Sequence, residues 1–91
     1  MAWHQDFEGI PLEGKHINYS FLFQVNDEES HVYETICEKE SIAKRRYSRF
    51  IKKEFGDNTK IISFWRYVWE NGELNDKETG LIYHFRELHK Q

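Results

Sequence analysis

The groups in this chain that could carry chemistry are five histidines, one cysteine and sixteen carboxylates, and their spacing argues against most catalytic uses. His4, His16, His31, His84 and His89 contain no pair at the i, i+4 interval that sets two imidazoles on one helix face for zinc, and no H-x-E-H arrangement. His84 and His89, five apart, form a zinc pair in neither a strand nor a helix. Cys37 stands beside Glu38 with no flanking signature of a nucleophile, and free cysteine is among the most buried residue types, so a structural thiol is expected. The five glycines are scattered at positions 9, 14, 56, 72 and 80, which leaves no loop to cradle a phosphate. The expectation is a protein without metal, cofactor or catalytic constellation, and so not an enzyme.

Charge is the louder signal. From Lys39 to Lys60 eight basic residues face three acidic ones, a local balance of +5, whereas the rest of the chain carries −8 for a net −3. Such a two-sided distribution can steer partners even when the total is small. Lys44, Arg45, Arg46, Arg49, Lys52 and Lys53 form a basic helix face whose ordinary role is solvation, and which would otherwise suit phosphates or an acidic protein. Acidic loops, Asp27 to Glu29 and Glu70, Glu73, Asp76 and Glu78, raise a lesser alternative: a row of carboxylates imitating nucleic acid.

These groups need elements to hold them. Residues 1–14 carry Trp3, Phe7, Ile10 and Leu12 without periodicity and read as an extended arm, with residues 15–91 as a single α+β domain. From His16 to Val25, Ile17, Tyr19, Phe21, Phe23 and Val25 alternate with Asn18, Ser20, Leu22 and Gln24, the pattern of a half-buried strand. Asn26 to Ser30 is a polar turn, and His31 to Glu38 completes a hairpin whose Tyr33, Thr35 and Cys37 side is the better candidate for burial, because Glu34 and Glu38 occupy the other. Ser41 is a candidate N-cap for a helix on which Ala43, Tyr47, Phe50, Ile51 and Phe55 make the apolar stripe, with Gly56 as its left-handed stop. Thr59 to Glu70 is apolar on both faces and so reads as a central strand, followed by an Asn71-Gly72 turn. Leu81 to Leu88 fits a strand better than a helix, with its faces matching those of the central strand.

The resulting fold class is α+β, a two-layer sandwich in the order β-β-α-β-β with one amphipathic helix on a mainly antiparallel sheet. The odd face of the central strand, Trp65, Tyr67 and Trp69, is expected beneath the helix. Its even face, joined by the last strand, then becomes a partner or dimer face of Ile62, Phe64, Arg66, Val68, Ile82, His84 and Arg86, too apolar to stay bare. Either the N-terminal arm folds over it or a second copy covers it as a homodimer.

A single cysteine excludes an internal disulfide framework, the first residues lack a basic-then-apolar leader, and no run is long enough to span a bilayer; a cytoplasmic location without membrane contact is expected. The functional expectation is a non-enzymatic inhibitor or adaptor, of the kind phages and other mobile elements encode, that occludes or bridges a protein partner. The alternative is nucleic-acid binding through the basic helix face.

Overall fold

The computed structural model of the chain describes residues 2–84. It is an α+β domain with one helix on a mixed sheet, in the order β1 (Ala2–Gln5), β2 (Lys15–Val25), β3 (Glu29–Ile36), α1 (Glu40–Glu54), β4 (Thr59–Glu70), β5 (Glu73–Leu74) and β6 (Gly80–His84). The strands lie in the order β1-β3-β2-β4-β5, and β6 also pairs with β4. The described chain thus runs β-β-β-α-β-β-β, with two strands more than the expected order: β1 ahead of the hairpin and the two-residue β5 between the central strand and the last one.

The β2–β3 hairpin closes through Asn26 and Asp27, both at positive φ, with the Glu28 amide donating to the Val25 carbonyl at 3.0 Å. Two short polar residues in the left-handed region match the twist of the flanking strands. Asn71 and Gly72, at φ of 50° and 82°, make the corresponding two-residue turn between β4 and β5. β3 and β4 both run antiparallel to β2, so α1 carries the chain across β2 from one of its neighbours to the other.

The helix begins one residue before the expected cap. Lys39, extended and without a side-chain cap bond, offers its carbonyl to the amides of Ile42 and Ala43, and Glu40 supplies negative charge in the first turn. Its end is as the sequence implies: Gly56 at φ 70° donates to the Ile51 carbonyl.

Aromatic rings make most of the core. Phe21 lies stacked between Tyr47 of the helix, 4.4 Å away centre to centre, and Phe64 of β4, 4.1 Å away, while Tyr33 stacks on Phe50 at 4.6 Å. Offset and edge-on rings of this kind add to the benefit of the area they bury. On β3 the helix side is Tyr33 and Thr35, as the flanking glutamates suggested.

On β4 the faces are exchanged relative to expectation. Its register with β2 passes from Leu22 opposite Ser63 to Phe23 opposite Ile61, which leaves Ile62 as an extra, bulged residue. A one-residue slip turns every later side chain to the other face. Ile61 remains under the helix with Phe23, but Phe64 opposite Phe21 and Val68 opposite Ile17 follow it there, and Trp65, Tyr67 and Trp69 emerge on the helix-free side. Phe64 and Val68, at 2% and 1% exposure, are therefore interior and not part of a docking face.

The N-terminal segment is not a bare arm, since Ala2 to Gln5 form an edge strand parallel to β3. Phe85, Arg86 and Leu88 lie outside the described residues.

Candidate functional site

The helix-free face can be assembled from the registers alone. Gln5 pairs with Glu34, Glu34 with Ser20, and Ser20 with Trp65; one pair further along, Asn18 lies between Ile36 and Tyr67, and beyond it His16 faces Trp69. Trp3, opposite Val32, stands at the β1 edge. All three tryptophans of the chain thus fall on one face of the sheet, where β4's bulge and β1's pairing place them.

The middle of this face forms a depression. Trp3, Phe7, Tyr67 and Trp69 wall a groove of about 470 Å³ that also takes in Glu34 and Asn18, and Gly9 and Ile10 of the segment after β1 complete its rim. Trp65 and Tyr67 stack at 6.0 Å and 14° beside it. Trp3 is 59% exposed, an unusual position for so large an apolar surface. Burial pushes the Tyr67 hydroxyl above its ordinary range, and the nearby Glu34 carboxylate pushes the same way. Asn18 Oδ1 and Trp69 Nε1 are sheltered from solvent without a hydrogen-bond partner among the described residues. An unmet buried donor or acceptor costs about 1–3 kcal/mol, so these two atoms mark the groove as the least satisfied part of the sheet.

Of the seven residues expected to form a partner face, Phe64 and Val68 are core, Ile62 is the bulged residue, and Ile82 packs against the core. Arg66 is exposed and its Nε donates to the Glu78 carbonyl at 3.0 Å. His84 ends β6 opposite Ser63. Phe64, Val68, Ile82 and Arg66 therefore do not share one exposed surface.

The basic helix residues divide by direction. Lys44 pairs loosely with Glu40 at 3.8 Å, and Arg46 reaches down to the Thr35 hydroxyl at 2.7 Å and the Ile36 carbonyl at 3.0 Å. Arg45, Arg49, Lys52 and Lys53 are exposed, and Arg46, Arg49 and Lys53 border a cavity of about 320 Å³ with Tyr33, Phe50 and Asp6. Within it Asp6 Oδ2 accepts from both Tyr33 and Thr35, each at 2.9 Å.

The acidic loops are tied locally. Asp27 pairs with Lys60 at 3.6 Å, Glu78 with Lys15 at 2.9 Å, and Asn75 donates to both Glu70 and Glu78. Burial raises the Cys37 thiol above its ordinary range and so favours the unreactive thiol over the thiolate, and its Sγ donates to the Lys39 carbonyl at 3.4 Å. Among the described residues no three of His, Cys, Asp and Glu gather as metal ligands. No helix among them is long and apolar enough to cross a membrane.

Comparison with known proteins adds no assignment. No family model, curated protein or solved structure matches the chain.

Two features here escaped the sequence. The groove needs the bulge at Ile62 and the parallel pairing of β1, neither of which has a local residue signature. The His4–His31 contact, 27 residues apart, depends on the same pairing. A trace of the groove was nonetheless legible, because Trp3 and Phe7 sit in a segment too apolar to stand free in water.

Proposed function

We propose that this protein is a non-enzymatic binding protein, an inhibitor or adaptor, that occludes or bridges a protein partner through the aromatic groove on the helix-free sheet face. The observation that carries this reading is the convergence of Trp3, Phe7, Tyr67 and Trp69, from two separate strands and the segment after β1, around one groove with an exposed tryptophan at its rim. Tryptophan and tyrosine dominate protein-binding hot spots because they bury much area with few rotors to freeze. The occupant belongs in the cytoplasm on this reading, where the free Cys37 stays reduced.

A second reading, nucleic-acid binding, draws on Arg46, Arg49 and Lys53 around the cavity beside Tyr33. One experiment separates the two. In a nuclease-treated pull-down, a Trp3→Ala, Phe7→Ala variant loses a stoichiometric polypeptide that an Arg45→Glu, Arg49→Glu variant retains. The reverse pattern, together with binding that collapses as salt rises, transfers the function to the helix. A groove filled by a second copy of the chain shows itself instead as a dimer in light scattering that the Trp3 and Phe7 substitutions dissociate.

A further inference from the structure

The groove has a charge that its apolar walls do not explain. Glu34 lies in it, none of the residues lining it is basic, and Glu34 has no ion-pair partner among the described residues. A carboxylate beside four aromatic rings is poorly matched to an aliphatic side chain, which would bury it unpaired, and to an acidic one, which it would repel. It is matched to a cation, because ring faces and carboxylate attract positive charge together.

The shape of the site narrows the cation further. Tyr67 and Trp69 come from β4 and Trp3 and Phe7 from β1 and the segment after it, with β3 and β2 between them, so aromatic rings stand on both sides of the groove and not on a single platform. A planar, weakly hydrated guanidinium stacks on such walls and presents several N–H donors in its plane, whereas an ammonium is a compact and strongly hydrated point charge. The Glu34 carboxylate supplies the acceptor in the groove, and beneath it lies the amide oxygen of Asn18, a residue 6% exposed whose Oδ1 meets no described donor.

We infer that the groove recognises an arginine side chain presented by the protein partner, its guanidinium held between aromatic walls and paired with Glu34. This rests on the groove being the partner site. The inference names what that site reads.

The test uses the tripeptides Gly-Arg-Gly, Gly-Lys-Gly and Gly-citrulline-Gly with the full chain. Since all three tryptophans lie on this face, indole fluorescence reports occupancy directly. Gly-Arg-Gly is expected to bind roughly tenfold tighter than its uncharged citrulline isostere and tighter than the lysine peptide, and Glu34→Gln is expected to abolish that preference while leaving the thermal midpoint within a few degrees. Citrulline and arginine peptides binding equally well would overturn the guanidinium assignment and leave the groove a docking site. If no tripeptide perturbs the indoles while the pull-down polypeptide still depends on Trp3 and Phe7, the arginine inference fails and the groove reading stands. If that dependence is missing too, both fail.

Discussion

His4 Nε2 lies 3.1 Å from His31 Nδ1, with the rings stacked at 5.3 Å, so a side-chain hydrogen bond ties the N-terminal strand to β3 in addition to its backbone ladder. His31 is almost wholly buried, stacking on Phe23, and His4 continues the cluster toward Phe50 and Phe55. One ring must donate and the other accept. His4→Ala therefore leaves a buried ring nitrogen unmet and a gap beside two phenylalanines. A loss of about 1–3 kcal/mol in urea unfolding is expected, with hydrogen exchange accelerated in β1 first. An unchanged midpoint would show that β1 contributes little to the fold and that the Trp3 wall of the groove is weakly held.

Asp6 is the second fastener of the same strand. Its carboxylate accepts from Tyr33 and Thr35, and Arg46 donates to the Thr35 hydroxyl, so strand edge, sheet and helix meet at one oxygen network. Burial first, and the Asp6 hydrogen bond second, push the Tyr33 hydroxyl up to about 12. Asp6→Ala should remove both that hydrogen bond and the repulsion from the Asp6 charge, and leave burial in place. Tyr33 is expected to ionise at lower pH in a tyrosinate absorbance titration, yet still above an exposed tyrosine, and stability should fall by about 1–3 kcal/mol.

Alkaline pH provides a test of the core itself. Tyr33 and Tyr47 both ionise at about 12 in the fold against 10.0 when unhindered, Tyr47 through burial alone. Between these values the unfolded chain gives up protons that the folded chain keeps, so stability falls as pH rises. The contribution is complete below pH 10 and is lost progressively toward about 12. Unfolding midpoints are expected to be flat below that window and to drop through it, and Tyr47→Phe should make the drop shallower.

What the residues disclosed in advance, and what they did not, follows from the range of the interactions involved. The alternation of Tyr19, Phe21 and Phe23 and the stripe of Tyr47, Phe50 and Ile51 are local periodicities, and these elements stand where the patterns put them. Gly56 and the Asn71-Gly72 turn are equally local, since each meets a positive φ that few other residues accept. The face carried by each β4 side chain is not local. It depends on which β2 residue lies opposite, and the extra residue at Ile62 reverses the answer within one strand. Trp3 and His4 were opaque for a similar reason: four residues of edge strand are too few to show a period, and their pairing with β3 is parallel and remote.

The exchange of faces on β4 makes a prediction that alternation without a bulge would reverse. Phe64 is 2% exposed, stacked on Phe21 and 5.8 Å from the Tyr19 ring, whereas Trp65 next to it lies on the helix-free face opposite Ser20. Truncating a large ring in a closed core costs about 3–5 kcal/mol, because the surrounding rings cannot close over the void. Phe64→Ala is expected to lie in that range and to threaten folding of so small a domain. Trp65→Ala, though it deletes the larger side chain, should cost less than half as much, its loss being one partner of the Tyr67 stack. Equilibrium unfolding of the two variants decides the point: a more damaging Trp65→Ala would return the tryptophans to the core, remove the aromatic wall from the helix-free face, and take the proposed partner site with it.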